Sequence, residues 1–157
     1  MKIILTLTGK TVEKYLTEGI SIYEKRINNY LPFEIQTLPE LKFSKNTNIN
    51  IIKNKEAEVF LKTFGSKDII VLLDENGKEM NSAGFAGFVS NNMLNSTKVL
   101  RFVIGGAYGF TDAVRERANY IIGLSLMTFS HQLVRLIFVE QLYRAMTIIK
   151  GEPYHHS

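Results

Sequence analysis

VLRFVIGGAYGFT, residues Val99 to Thr111, holds the arrangement on which the fold turns. Val99–Ile104 has the composition of a buried strand, Gly105-Gly106 break it, and Thr111 is a good N-cap for a short helix through Ala118. A strand that runs into glycines and then a helix is the repeating unit of an α/β fold, and ligands sit at the carboxyl ends of such strands.

The same alternation extends in both directions. Upstream, Asp68–Leu73 (DIIVLL) is a continuous apolar strand of the kind covered on both faces. Asp74-Glu75-Asn76-Gly77 then reads as a turn, and Asn81 or Ser82 caps a helix to about Met93. Lys2–Thr8 (KIILTLT) is a strand ending at Gly9, followed by a helix over Thr11–Ile27 with Thr11 as N-cap. Phe33–Leu38 is a strand bounded by Pro32 and Pro39, and Glu40–Asn48 is a polar loop. A helix over Ile49–Phe64 is closed by Gly65. Downstream, Tyr120–Gly123 is a short strand and His131–Ile149 the longest helix. Five strands alternating with five helices predict a largely parallel sheet, helices on both faces, in one domain over 1–157.

Composition narrows the function. At 45% hydrophobic and 22% charged residues, the 157-residue chain can bury a core and is not of disordered type. It has no cysteine, which removes disulfide scaffolds, thiol catalysis and iron–sulfur clusters and suits the reducing cytoplasm. The start lacks the basic leader of a signal peptide, and His131, Gln132 and Arg135 interrupt the most apolar stretch, Tyr120–Val139, so no membrane span is expected. The net charge of +4 is spread evenly, with nine Lys/Arg against seven Asp/Glu in residues 1–60 and ten against eight beyond. That balance is compatible with nucleic acid and does not require it.

The last helix carries Val139, Leu142, Tyr143, Met146 and Ile149 on one stripe, widened by Leu133, Leu136, Ile137 and Phe138. A stripe broader than a surface helix needs reads either as a contact with a second copy of the chain, the simplest further partner, or as an unusually buried helix in a monomer. The glycine stretch 105–109 is either a ligand cradle or a tight turn; it matches neither the dinucleotide nor the P-loop pattern. The apolar segment Leu124–His131, with Ser130 as a candidate cap of the last helix, is either a pocket wall or a packed loop. Glu140 and Arg144, four apart, read on spacing alone as a surface ion pair, and the tail from Gly151 as a frayed end. There is no HExxH, no clustered metal-ligand set and no nucleophile elbow, so a metal or serine hydrolase is unsupported and no metal is expected.

Four ordered motifs carry a resemblance: Phe102-Val-Ile-Gly-Gly-Ala-Tyr-Gly109, Leu126-Met-Thr-Phe-Ser-His131, Glu140-Gln-Leu-Tyr-Arg-Ala145 and Gly151-Glu-Pro-Tyr-His155. With the start MKIILTLTGK, Tyr23-Glu-Lys-Arg26 and the total length, they resemble the RlmH family of SPOUT-class rRNA methyltransferases over essentially the whole chain. The resemblance implies an α/β domain with a C-terminal trefoil knot over roughly residues 70–157, a fold feature that ordinary topology rules would not suggest. It implies S-adenosylmethionine as cofactor and N3 of a pseudouridine in 23S rRNA, within the assembled 70S ribosome, as methyl acceptor, and a cytoplasmic homodimer. The cofactor positions it implies are Leu73, Gly105, Leu124, Ser125, Leu126, Met127, Thr128 and Phe129. Its implied catalytic group is His155, Tyr154, Arg144 and Glu140, with a histidine or a tyrosine as proton acceptor. Two departures stand out: Ser130 replaces a usual proline, and Ala107-Tyr108 falls where the family varies. A non-catalytic ribosome-binding module and a different α/β cofactor enzyme are the alternatives. The first would need neither the glycine nor the tail motif, and the second lacks a dinucleotide motif.

Overall fold

The computed structural model describes residues 1–156. Its elements are β1 (Lys2–Thr8), α1 (Lys14–Ile27), β2 (Phe33–Leu38), α2 (Ile49–Thr63), β3 (Ile69–Glu79), α3 (Ser82–Leu94), β4 (Val99–Ile104), α4 (Asp112–Arg117), β5 (Tyr120–Gly123) and α5 (Leu133–Lys150). All pairings are parallel, in the order β2-β1-β4-β3-β5, so β4 enters between β1 and β3. Side chains alternate across the strands. Ile3, Leu5, Val71 and Phe102 face Phe85 of α3 and Phe138 and Leu142 of α5, with Ile20 and Ile27 of α1 in the same core. Ile70, Leu72 and Val103 face Phe60 of α2 and Val114 of α4. Helices therefore cover both faces, and no helix among the described residues is long and apolar enough to cross a membrane.

Two arginines are built into this apolar frame. Arg101 of β4, 6% exposed, donates from Nε to Asp68 Oδ2 at 2.8 Å and from Nη1 to Thr6 Oγ1 at 2.8 Å and Gln36 Oε1 at 2.6 Å. It thus joins β1, β2 and the entrance of β3. Arg135, 2% exposed, donates to the carbonyls of Thr8 at 2.8 Å, Gly9 at 3.0 Å and His131 at 3.0 Å, and to Thr11 Oγ1 at 3.1 Å. Burial lowers its guanidinium from the ordinary value, and these acceptors compensate the lost water. Arg135 locks the start of α5 onto the end of β1.

Four local expectations need correction. Thr11 does not cap α1, which starts at Lys14 behind Glu13 with no side-chain cap; the Thr11 hydroxyl serves Arg135 instead. Asp74–Gly77 is not a free turn, because β3 bulges there and resumes, pairing Lys78 with Ile122 and Glu79 with Gly123. The bulge closes at a backbone crossing where a Cβ on Gly77 would stand 2.5 Å from the Ile122 carbonyl carbon, so the site admits only glycine. The end of α2 is Phe64 in extended geometry rather than a left-handed Gly65. Finally, α5 begins at Leu133, yet Ser130 still serves its first turn, accepting the Leu133 amide on Oγ at 3.1 Å. The caps expected at Asn81 and Thr111 are formed.

The breadth of the α5 stripe has an intramolecular cause. The helix lies between α1 and α3 on the sheet, and Leu136 presses against Gly19 of α1, where a Cβ would stand 2.9 Å away. Part of that stripe is therefore used within one chain. On the outside, Tyr15 and Ile22, seven apart on α1, remain exposed, as does Val12.

Candidate active site

The bulge of β3 and the carboxyl ends of β4 and β5 surround a cavity of about 420 Å³. Seven residues expected at a cofactor line it: Leu73, Gly105, Leu124, Ser125, Met127, Thr128 and Phe129. Leu126 does not, and is 87% exposed. The cause is local: the Met127 amide donates to Ser125 Oγ at 2.9 Å, and this tight turn puts Leu126 at its apex.

The glycine loop is fixed from both sides. A Cβ on Gly105 would stand 3.0 Å from the Phe110 ring, and one on Gly106 would lie 2.5 Å from Glu56 Oε1. Gly109 has φ +75°, and its amide donates to Gly106 O at 3.2 Å. Gly109 is needed for its conformation, whereas an added Cβ would press on the Phe110 ring at Gly105 and displace the Glu56 carboxyl at Gly106. Behind the loop Glu56 Oε2 is buried with no hydrogen-bond partner among the described residues. Burial, and then the Glu40 charge, push its carboxyl above the usual carboxylate range.

Sequence reasoning missed the polar rim. Arg115 Nη2 donates to Asp74 Oδ2 at 2.7 Å, and the other Asp74 oxygen accepts the Asn76 amide at 2.9 Å. Thr128 Oγ1 donates to Glu75 Oε2 at 3.3 Å, tying the 124–129 loop to the bulge of β3. Lys53 of α2 and Val134 of α5 complete the wall. Asp74 and Arg115 are far apart in the chain and meet only in the fold, so no local signal announced them.

Three of the four residues expected to carry the chemistry, Glu140, Arg144 and Tyr154, form a separate cluster, and His155 follows Tyr154 in the chain. Glu140 Oε1 accepts from Arg144 Nη2 at 2.6 Å and from the Tyr154 hydroxyl at 3.1 Å, and its Oε2 from Gln141 Nε2 at 2.8 Å. Gln141 is held in turn by the Ser82 hydroxyl at 2.9 Å. Gly151, in left-handed geometry, ends α5 and reverses the tail, so that Tyr154 packs edge-on against Tyr143 at 4.8 Å. The Tyr30 hydroxyl donates to Glu152, and Tyr154 lies 3.4 Å from the Tyr23 hydroxyl. The tail through Tyr154 is therefore seated on α5 and α1, and the Glu140–Arg144 pair belongs to a network rather than to a bare surface.

The hydrogen bond to Glu140 raises the Arg144 guanidinium above its ordinary value. Burial, followed by the hydrogen bonds with Tyr23 and Glu140, raises the Tyr154 phenol well above its usual range. A phenol so held stays protonated, which argues against phenolate chemistry. His155 Nδ1 is buried without a hydrogen-bond partner among the described residues.

None of Glu140, Arg144, Tyr154 or His155 lines the cavity of its own chain. Arg144 lies ten residues along α5 from Val134, about 15 Å at 1.5 Å per residue. One chain carries both halves without bringing them together.

A family model described as Predicted SPOUT methyltransferase matches residues 1–155. The chain belongs to the SPOUT methyltransferase family. Proteins described as ribosomal RNA large subunit methyltransferase H share about half of its residues. One from Bacteroides thetaiotaomicron is 49% identical over 157 residues, covering 100% of both chains. One from Christiangramia forsetii is 50% identical over 156 residues, covering 99% of each. The crystal structure of a probable methyltransferase from Bordetella pertussis Tohama I shares the fold, with a TM-score of 0.59 at 11% identity over 92% of this chain and 94% of that one. A SPOUT methyltransferase uses a methyl donor, and the cavity at the strand ends is a suitable place for one: concave, of mixed polarity and lined by glycine.

Proposed function

We propose that this SPOUT methyltransferase transfers a methyl group from S-adenosylmethionine to N3 of a pseudouridine in 23S rRNA. We place the reaction on the assembled 70S ribosome in the cytoplasm. The observation that carries the reading is the end-to-end likeness to proteins described as ribosomal RNA large subunit methyltransferase H, at 49–50% identity. The domain runs over 1–157 in this reading, with the trefoil knot over roughly 70–157, the stretch that contains the tight crossing of Gly77 and Ile122.

The cavity suits such a cofactor. Leu73, Leu124 and Phe129 offer apolar walls, and Gly105 leaves the backbone open to close approach. Ser125, Met127 and Thr128 complete the cradle, whereas Leu126 stays outside in one chain. When bound, S-adenosylmethionine supplies an already activated methyl group, so the protein's work is orientation, desolvation and removal of the N3 proton. Among the four tail-cluster residues His155 is suited to take that proton, since Tyr154 is held as a neutral phenol and Arg144 is committed to Glu140. Glu140 and Arg144 anchor the tail that carries His155.

The separation of cavity and cluster supports a homodimer in which the tail of one chain closes the cavity of its partner, with exposed Val12, Tyr15 and Ile22 available to the contact. The test follows labelled methyl transfer to 70S ribosomes, free 50S subunits and naked rRNA, with the product nucleotide mapped. Transfer to one pseudouridine in 70S ribosomes is expected; transfer to another nucleotide, or none, overturns the reading. Mixing a cavity variant, Gly105→Val, with His155→Ala should restore activity that neither has alone. Failure of co-refolded mixtures to recover any activity rules out the shared site.

A further inference from the structure

Tyr108 stands at the tip of the glycine loop. It lines the cavity, yet is 47% exposed, and has neither a hydrogen bond nor a ring partner among the described residues. On the opposite lip Met127 also lines the cavity and is 73% exposed. Neither loop is slack: the turn from Gly106 to Gly109 holds the first, and the bond from the Met127 amide to Ser125 holds the second. The molecule thus presents an aromatic ring and a soft apolar side chain, across one mouth, with nothing of its own to cover them.

A third side chain gives the mouth its charge. Lys53 lines both this cavity and a shallower groove between α2 and the start of α4, and makes no ion pair among the described residues. The cavity's other cation, Arg115, is bound to Asp74. A flat ring, an apolar lip and a free cation around one opening suit a nucleotide, whose base offers a face to stack and whose phosphate offers a charge to meet.

We propose that Tyr108 is a positioning residue for the RNA substrate: it stacks on the base that receives the methyl group, Met127 bounds the opposite face, and Lys53 meets a neighbouring phosphate. Stacking leaves the edge of the base, where N3 lies, free to point into the cavity. The proposal rests on the reading of the protein as an rRNA methyltransferase. It differs from a cofactor contact because the ring stands at the mouth rather than among the enclosed walls.

The experiment uses the full-length protein with 70S ribosomes at saturating S-adenosylmethionine. Tyr108→Ala is expected to raise KM for ribosomes about tenfold, in keeping with the loss of one base–aromatic stack. Cofactor affinity by calorimetry and the oligomeric state should not change. Tyr108→Phe should keep KM near wild type, since the ring and not the hydroxyl carries the contact. Lys53→Ala should lower the salt dependence of KM by about one phosphate contact. An unchanged KM in Tyr108→Ala overturns the proposal. So does an equal loss of cofactor affinity, which would make Tyr108 a cofactor wall. A shift from dimer to monomer would make the ring a seat for the second chain, and also overturns it. Wild-type protein assayed in parallel separates the two levels: its failure to methylate ribosomes removes the parent reading and this one with it, whereas active wild type with an unaffected Tyr108→Ala removes this one alone.

Discussion

The strand-end cavity and the tail cluster are built on opposite principles. The cavity is made by backbone: glycines at 77, 105, 106 and 109, a bulge, and a loop turned by one serine hydroxyl. The cluster is made by side chains, with both Glu140 oxygens occupied and four tyrosines gathered around the end of α5. A backbone-built site is sensitive to any added atom and tolerant of changes in polarity; a side-chain-built one is the reverse. The difference teaches that the two should fail in distinguishable ways, one in binding and one in turnover.

The largest expected effect tests the backbone half. Gly77→Val places a branched Cβ where the Ile122 backbone already lies, and should cost about 3 kcal/mol in urea unfolding and abolish cofactor binding. An unfolding midpoint equal to wild type would mean that the crossing is loose.

The counterpart in the cluster is His155→Ala. If His155 takes the N3 proton, kcat falls about 100-fold, the lower end of what general acid–base catalysis contributes, while cofactor affinity holds. Parallel losses in both would merge the two regions into one, and turnover at the wild-type rate would remove His155 as the base.

A smaller effect sharpens the contrast inside the cavity half, at Glu56. Its carboxyl is raised in the fold from a starting value of 4.5, so the folded protein holds the proton more tightly than the unfolded chain. Stability is then unpenalised below pH 4.5 and declines as pH rises through the raised value. Glu56→Gln should remove that decline and stabilise the protein at neutral pH by about 1 kcal/mol, or about 2–4 °C in Tm. A Tm lower than wild type at pH 7 would show that the ionised carboxylate is needed. The least effect belongs to Ser130. Loss of its hydroxyl in Ser130→Ala should cost about 0.5 kcal/mol by chemical unfolding, because the backbone carbonyl of residue 130 still accepts the Val134 amide. Destabilisation several times larger would make the departure from the family's proline structurally important.

Much of this was legible in the chain because local chemistry announced it. Apolar β runs, Asn81 and Thr111 as caps, and glycines after Ile104 were enough for a parallel α/β sheet, and left the glycine loop as either a ligand cradle or a tight turn. What stayed hidden depends on partners distant in sequence. Asp-Glu-Asn-Gly at 74–77 is a turn by local signal, and only pairing with Ile122 and Gly123 makes it a bulge. The alternation that expels Leu126 follows from one hydroxyl, which composition does not show. Arg101 and Arg135 look like interruptions in apolar runs until their acceptors on other elements are seen. The tail was legible only through its likeness to a family, since Glu140 and Arg144 alone look like any helical ion pair.

Arg135 has a consequence for how the protein is made. Its guanidinium holds carbonyls at residues 8 and 9, which leave a translating ribosome well before the helix that carries it. A nascent chain halted after Gly123 would hold the residues of every strand, yet lack the 124–129 loop, Val134 and the clasp. Growth of the polypeptide therefore postpones the cavity until α5 has been made, and shorter copies lack part of its wall.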